Sequence, residues 1–98
     1  SYYLIFYIVK LLLMENYLDN IKKKIVSKLD IQEIKVIDNS HKHKGHKFFK
    51  ENMYHLQLDI KSNFLKKLPR IEAQRKIMKI LEQDLKKKKI HAININIK

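Results

Sequence analysis

The 98-residue chain has no cysteine and no tryptophan, and it has a single glycine and a single proline. Without cysteine it has no disulfide framework, no thiolate zinc site and no cysteine nucleophile. One glycine is too few for the glycine-rich loops with which P-loop and Rossmann proteins hold phosphate. These absences exclude most nucleotide-dependent enzymes and all catalysis by a thiol.

The length and the charge set further bounds. A chain of this size forms one small domain that buries only about 60–65% of its unfolded surface, which leaves no room for a large enclosed substrate cavity. The net charge of +12 is a feature of nucleic-acid-binding proteins, but only Arg70 and Arg75 are arginines. The lysines are spread along the whole chain and accompany much isoleucine and asparagine, as expected of an A/T-rich genome. We therefore favour genome composition and solubility over a nucleic-acid footprint.

The first thirteen residues differ from the rest. The run from Ser1 to Leu13 is apolar apart from Lys10, shows no amphipathic face, and is shorter than the ~20 residues needed to span a bilayer. It is interpreted either as a signal or organellar leader, which would place the protein in mitochondria or another organelle, or as a mis-assigned upstream extension that precedes a natural start at Met14. The cytoplasm is the alternative location. We divide the chain into an N-terminal extension, 1–13, and a domain, 14–98, in which we expect no membrane span.

The first half of the domain predicts a helix and two strands. Leu18, Ile21, Ile25 and Leu29 recur at three- and four-residue spacing from Glu15 onward, which is one apolar stripe of a surface helix. A short strand is predicted over residues 34–37, followed by the turn-forming residues 38–40. Strict alternation of apolar and polar residues over 54–61 predicts a half-buried strand.

The second half predicts a helix and a third strand. Pro69 favours a helix start, and helical spacing continues through Leu85 to the Lys86–Lys89 run, which complements the helix dipole. The last strand alternates again and puts His91 in phase with Ile93, Ile95 and Ile97. With a short helical turn around 64–68, the order α-β-β-α-β predicts an α+β fold: a small mixed three-stranded sheet with helices on one face.

Histidines are the candidate functional residues. His41, His43 and His46 lie within seven residues, Ser40–His46, together with Gly45, and His91 lies in the last strand. Neutral imidazole is the commonest metal ligand in proteins. Other interpretations stay open, since closely spaced imidazoles also chelate Ni²⁺, Cu²⁺ or Zn²⁺ adventitiously. Taken alone, His91 is interpreted as a strand-end histidine with a half-buried ring. Asp38 beside His41 does not form a catalytic dyad on sequence evidence.

Residues 34–46, Ile-Lys-Val-Ile-Asp-Asn-Ser-His-Lys-His-Lys-Gly-His, resemble the BolA-like family, in particular its members with a Ser-His-x-His-x-Gly-His loop. The segment His-Leu-Gln-Leu at 55–58 is similar to the family's His-Phe-x-Val strand. Ser-Asn at 62–63 is similar to its Ser-Asp/Asn turn, and Ile-His-Ala-Ile at 90–93 to the strand with its invariant histidine. The chain departs from the family pattern at Ala73-Gln74-Arg75, where Arg-His-Arg is usual, and at Leu65, where an aromatic residue is usual.

The resemblance implies a fold similar to the type II KH domain and a partnership with monothiol glutaredoxins. In such heterodimers the glutaredoxin cysteine and glutathione hold one side of a bridging [2Fe–2S] cluster. The BolA-like protein supplies its C-terminal histidine and a histidine or cysteine from the loop. Carried over to this chain, the ligands are His43 and His91, with His46 and His41 as alternatives. The expected partner-binding residues are His43, Gly45, His46, His91 and Ala92. A chain without cysteine fits this arrangement, because the sulfur ligands come from other molecules.

The leading hypothesis is therefore a non-enzymatic adaptor in iron–sulfur cluster assembly or trafficking, monomeric and without a cofactor when alone. His55 is expected to be a surface or loop-packing residue whose replacement is nearly neutral. The alternative is a KH-like nucleic-acid-binding transcriptional regulator. Under the leading hypothesis, we expect any binding to nucleic acid to be weak and non-specific. Against the alternative, KH domains that bind RNA use a Gly-x-x-Gly loop, and the chain has Leu-Lys-Lys-Leu over 65–68.

Overall fold

A computed structural model describes residues 2–40 and 53–98. In chain order its elements are α1 (Tyr2–Val26), β1 (Glu33–Asp38), β2 (Tyr54–Lys61), α2 (Asn63–Lys66), α3 (Arg70–Ile80), α4 (Glu82–Lys86) and β3 (Ile90–Ile97). The predicted α-β-β-α-β order is confirmed, with the second helical region divided into three parts.

The three strands form one mixed sheet in the order β1-β2-β3. β1 pairs antiparallel with β2, with Val36 opposite Leu58, and β2 pairs parallel with β3, with Leu58 opposite Ile95. The apolar side chains of β2 are buried against the helices. The buried core is made of Ile21, Ile25, Leu56, Leu58, Ile60, Leu65, Ala73, Ile77, Leu81, Ile90 and Ile95. The predicted mixed sheet with helices on one face is therefore confirmed.

Helix α1 is longer than the apolar stripe predicted. It begins at Tyr2, so Met14 lies inside a continuous helix, and it ends at Val26, before Leu29. Ile21 and Ile25 are buried in the core, whereas every residue from Tyr2 to Val9 is exposed. Within the described ranges, no helix has both the length and the apolar character needed to cross a membrane.

The turn after β2 is fixed by Ser62, which is fully buried. Its hydroxyl accepts a hydrogen bond from the Leu65 backbone N–H at 3.0 Å and donates one to the Asp30 carbonyl at 2.7 Å. Ser62 is thus the N-cap of α2 and also links this helix to the segment between α1 and β1. The first residue of α2, Asn63, donates its backbone N–H to the Gln32 side chain at 2.9 Å.

The predicted long helix from Pro69 through Leu85 is interrupted at Leu81. Helix α3 does begin directly after Pro69, as predicted, and ends at Ile80. Helix α4 then ends in a Schellman arrangement, in which the Lys89 N–H donates to the Asp84 carbonyl at 3.0 Å and the Lys88 N–H to the Leu85 carbonyl at 3.1 Å. Lys88 takes the left-handed position of this motif, with φ of 57°, a conformation that glycine adopts without strain.

Candidate functional site

The candidate site lies at the end of the sheet where β1 ends and where β2 and β3 begin. We call this the histidine end. Because β1 and β2 are antiparallel, Asp38 lies opposite Leu56. Because β2 and β3 are parallel, Tyr54 lies opposite Ile90. Ser40 and Met53, which flank residues 41–52, are therefore both attached at this end.

A β-bulge places His91. Tyr54 pairs with Ile90 and the next residue, His55, pairs with Ala92, so His91 is an additional residue between two paired positions. A bulge re-aims side chains and is common beside functional sites. Ile93, Ile95 and Ile97 face the helices as predicted, but His91 does not share their face. It is exposed, so the expectations of an in-phase position and a half-buried ring are both wrong.

The bulge brings His91 against His55. The two imidazole rings are stacked, with centroids 5.0 Å apart and planes 20° apart. His55 is half-buried, and it lies on the side of the sheet opposite the helices, beside exposed Ala92. The lone pair with which a neutral imidazole binds a metal lies in the plane of its ring, so stacking of the ring faces does not block it. The pair thus orients the His91 ring while keeping its edge accessible.

Asp38 fixes the point where the chain leaves the sheet. One oxygen of its buried carboxylate accepts hydrogen bonds from the backbone N–H groups of Ser40 and His55, both at 3.0 Å. The other oxygen accepts from the Ser40 hydroxyl at 2.6 Å. The Asn39 N–H donates to the His55 carbonyl at 2.8 Å. His55 is therefore fixed through both of its backbone polar groups.

Tyr17 and Asp84 connect the helices to the same end. The Tyr17 hydroxyl donates to Asp84 at 2.9 Å, and the Lys24 ammonium group donates to the other oxygen of this carboxylate at 3.1 Å. The Tyr17 ring stacks on that of Tyr54, with centroids 4.4 Å apart. The Tyr54 N–H donates to the Lys89 carbonyl at 2.7 Å. These contacts hold the first residues of β2 and β3, which precede His55 and His91.

The electrostatics of this cluster favour neutral tyrosines. Burial raises the pKa of the Tyr17 hydroxyl well above its usual range, and the hydrogen bond to Asp84 and the charge of that carboxylate raise it further. Burial also raises the pKa of Tyr54, with a smaller contribution from the charge of Asp38. Both hydroxyls therefore remain protonated throughout the physiological pH range.

Within residues 2–40 and 53–98, no helix packs on the face of the sheet that carries His55, and this face continues from His55 as a row of polar side chains. Asn39 donates to Gln57 at 3.1 Å, and Gln57 and Asn96 both donate to the Asp59 carboxylate, Asn96 at 3.1 Å. The hydrogen bond from Asn96, then that from Gln57, holds the pKa of Asp59 below its usual value. The side chains of Asn39, Gln57, Asp59 and Asn96 on this face therefore hydrogen-bond to one another.

The sequence from residue 25 to residue 98, which includes this site, matches a known family. The model of the BolA family of BolA-like proteins matches residues 25–98. The chain belongs to the BolA-like family.

Solved structures of BolA-like proteins have the same fold. The BolA domain of SufE1 from Arabidopsis thaliana has a TM-score of 0.68 at 29% sequence identity, over 84% of this chain and 90% of that one. BolA1 from Arabidopsis thaliana has a TM-score of 0.68 at 23% identity, over 83% and 88%. A bol-like protein from Babesia bovis has a TM-score of 0.63 at 19% identity, over 82% and 80%. Comparison with curated proteins found no match.

Of the residues predicted from the BolA-like pattern, the structure places His91 and Ala92 side by side, both exposed at the histidine end. The other predicted ligands and partner-binding residues lie outside the described residues: His41, His43, Gly45 and His46. Their assignments stay predictions.

The departures from the family pattern lie in or against the core. Leu65 and Ala73 are each only 1% exposed and Gln74 is half-buried. Ala73 and Leu65 therefore serve packing in this chain.

The sequence did not predict that His55 lies beside His91. The position of His55, one residue into β2, was visible in the sequence, but the bulge that brings His91 beside it was not. Among residues 2–40 and 53–98 there is no group of three or more histidine, aspartate or glutamate side chains arranged to hold a metal ion. A metal centre at this end therefore needs donors beyond His55 and His91.

Proposed function

We propose that this BolA-like protein is a non-enzymatic adaptor in iron–sulfur cluster assembly or trafficking. It binds a monothiol glutaredoxin and contributes imidazole ligands to a shared [2Fe–2S] cluster. His91 is the principal ligand and His43 the second, with His46 and His41 as alternatives. Ala92 and Gly45 lie on the surface that meets the partner.

The single observation that carries this proposal is the exposed His91 imidazole at the bulge. A histidine that served only to pack the strand end would be turned toward the helices, as Ile93, Ile95 and Ile97 are. Here an additional residue in the strand turns it away from the core and onto the face that none of the described helices covers. An exposed imidazole held by a rigid strand is suited to bind a ligand presented by another molecule.

The metal-binding side chains of this chain are suited to ligate one of the two irons of a [2Fe–2S] cluster. The chain has no cysteine, and [2Fe–2S] clusters need cysteine thiolates or, on one iron, two histidines. His91 and a histidine from residues 41–46 supply the second arrangement. The remaining iron requires sulfur, which a glutaredoxin cysteine and glutathione provide. When bound, the cluster supplies a transferable iron–sulfur unit, and the chain itself holds and orients it.

His55 supports His91 within this proposal. The stacked rings, with centroids 5.0 Å apart, limit the rotation of the His91 side chain. Replacement of a group that orients a metal ligand commonly lowers metal affinity 10–100-fold. The backbone of His55 is in turn fixed by Asp38 and Asn39. We therefore assign His55 a positioning role, which differs from the nearly neutral role expected from sequence.

The test is reconstitution of the complex. The full chain is mixed with a monothiol glutaredoxin, ferrous iron, sulfide and glutathione under anaerobic conditions. The proposal expects a one-to-one heterodimer with the visible absorption of a [2Fe–2S] cluster. The His91→Ala variant should bind far less cluster, and His41→Ala serves as a matched control that should keep most of it.

Two results would overturn the proposal. One is the absence of any heterodimer while the glutaredoxin assembles its own cluster normally. The other is sub-micromolar, sequence-selective binding to DNA or RNA at physiological salt without a glutaredoxin complex, which would favour the nucleic-acid alternative. Binding through the dispersed lysines alone would instead be sequence-indifferent and would fall steeply with salt.

A further inference from the structure

The N-terminal half of α1 exposes an unusual amount of apolar surface. From Tyr2 to Leu13, exposed fractions are 83% for Tyr2, 65% for Phe6 and 62% for Leu13. The exposed apolar residues in this segment are Tyr2, Tyr3, Leu4, Ile5, Phe6, Tyr7, Ile8, Val9, Leu12 and Leu13. Contiguous exposed apolar surface of this kind marks a site of interaction with a protein or a membrane. We call this segment, residues 2–13, the apolar arm.

Three of the four polar groups of the arm fall on one narrow stripe of the helix, and the fourth, the Tyr2 hydroxyl, lies outside this stripe. Tyr3, Tyr7 and Lys10 are spaced i, i+4 and i+7, which places them on the same side of a helix with 3.6 residues per turn. Ile5, Ile8 and Leu12 lie on the opposite side, and the remaining apolar residues flank them. The arm therefore has one stripe with polar tips and a broad apolar surface around the rest of its circumference.

We propose that the apolar arm inserts shallowly into the surface of an anionic membrane. Tyr3, Tyr7 and Lys10 would lie at the level of the lipid headgroups, and the side with Ile5, Ile8 and Leu12 would enter the acyl boundary. Tyrosine is favoured at membrane interfaces because its ring is apolar and its hydroxyl is polar. The aliphatic stem of a lysine lies along apolar surface while its ammonium group reaches water. This inference goes beyond the proposed adaptor function and does not depend on it.

The shape of the arm favours lipid over a protein groove or a second copy of the chain. A groove or a partner helix covers one side of a helix. Here, apart from the hydroxyl of Tyr2 at the first residue, apolar side chains occupy all of the circumference except the Tyr3–Tyr7–Lys10 stripe. A lipid interface covers such a broad surface at once. The arm is about 18 Å long, which is well below the ~30 Å thickness of a hydrocarbon core, so it lies in one leaflet.

The charge of the chain supports an anionic surface. The net charge is +12, and Lys22, Lys23 and Lys28 are exposed farther along or just beyond the same helix. Two acidic residues oppose them on α1, Glu15 and Asp19, and the latter pairs with Lys23 at 3.0 Å. The balance remains positive, and each lysine near an anionic surface adds to its attraction.

The test is flotation of the full chain with lipid vesicles. Vesicles of phosphatidylcholine alone are compared with vesicles that also contain phosphatidylglycerol. We expect stronger binding to the anionic vesicles, and we expect high salt to remove that advantage. The triple variant Ile5→Gln, Ile8→Gln, Leu12→Gln keeps the charge of the chain and should weaken vesicle binding about a hundredfold, because three inserted apolar side chains are lost.

The matched control replaces three exposed apolar residues elsewhere, Val26→Gln, Phe64→Gln and Ile71→Gln, and should leave vesicle binding nearly unchanged. Circular dichroism confirms that both triple variants are folded. Equal loss of binding in the control variant would overturn the proposal. Absence of wild-type binding to both kinds of vesicle would also overturn it. The same holds if the wild-type chain binds no vesicle but forms a discrete dimer that the arm variant does not form, because a second copy of the chain would then be the partner of the arm.

Discussion

The two ends of the sheet use polar side chains for different purposes. At the end opposite the histidines, Ser62 caps α2 and binds the Asp30 carbonyl. There the Lys98 N–H donates to the Ile60 carbonyl at 2.8 Å. Polar groups at that end satisfy the backbone and stabilise the fold.

At the histidine end, Asp38 and the Tyr17–Asp84 cluster fix the backbone, and the two imidazoles extend beyond them. The irregular backbone is also concentrated here, in the bulge at His91 and in the left-handed Lys88. Such features cost stability and are common near functional sites. The comparison indicates that replacements at one end should lower stability and that replacements of the histidines should lower function.

The largest effect is expected for His91→Ala. Loss of a ligand should reduce cluster binding in the glutaredoxin complex by more than the 10–100-fold typical of supporting residues. The free energy of unfolding should change by less than about 0.5 kcal/mol because the side chain is exposed. Visible absorption of the complex and urea unfolding measure the two quantities. If the His91→Ala complex held the normal amount of cluster, or if the variant were strongly destabilised, the two ends of the sheet would not differ in the way described.

Ser62→Ala should show the opposite behaviour. It removes the N-cap and leaves the Asp30 carbonyl without its hydroxyl donor, so we expect a loss of about 2 kcal/mol in the free energy of unfolding. Cluster binding by the folded variant should be unchanged. The control is Ser27→Ala, which removes an exposed hydroxyl bonded to the Lys24 carbonyl and should have little effect. Equal stability of the two variants in urea would contradict this account of the turn.

His55 distinguishes orientation from ligation. His55→Ala removes the stacked ring and should lower cluster binding about tenfold, within the range for groups that orient a metal ligand. His55→Phe keeps an aromatic ring without a nitrogen and should restore most of the binding. If the phenylalanine variant is as impaired as the alanine variant, His55 acts as a ligand and not as a positioning residue.

Tyr17→Phe tests the helix cluster that supports the histidine end. At neutral pH it should cost about 1 kcal/mol through the lost hydrogen bond to Asp84. The pKa of Tyr17 is raised in the folded state, so its contribution is present below the unfolded pKa of about 10 and is lost as the pH rises above it. Wild-type stability should therefore fall faster above pH ~10 than that of the variant. Parallel pH profiles from urea unfolding would contradict this assignment, and the exposed Tyr3→Phe replacement serves as control.

The smallest effect is expected at Lys88. Glycine adopts a φ of 57° more readily than lysine, so Lys88→Gly should raise the free energy of unfolding by about 0.5–1 kcal/mol. Its neighbour provides the control, because Lys87 has an ordinary φ of −78° and Lys87→Gly should be neutral or destabilising. A destabilised Lys88→Gly variant would show that the left-handed residue carries no strain.

Sequence patterns predicted the regular parts of the fold well. Alternation over 54–61 gave β2 and its buried Leu56, Leu58 and Ile60, and Pro69 gave the start of α3. Both signals are local, because they depend on side-chain periodicity or on a fixed backbone angle. The interruption at Leu81 was not predicted, since helical apolar spacing continues through it.

The arrangement of the site was less predictable. Simple alternation put His91 on the core face, because a bulge shifts the phase of a strand without leaving a signal in residue type. The stacking of His55 on His91 depends on the parallel pairing of β2 with β3. These two strands are separated in sequence by 28 residues, which contain α2, α3 and α4. Local patterns carry no information about such register. The assignment of His91 itself came from the family resemblance.

The most direct test of the central claim is the visible circular dichroism and electron paramagnetic resonance of the glutaredoxin complex. The wild-type complex is compared with that of the double variant His43→Ala, His91→Ala. Circular dichroism is recorded with the cluster oxidised, and paramagnetic resonance after the cluster has been reduced. If imidazoles of this chain hold the cluster, the double variant should lose the spectrum of the mixed complex and leave only that of the glutaredoxin alone. An unchanged spectrum in a one-to-one complex would show that neither histidine is a ligand and would contradict the account.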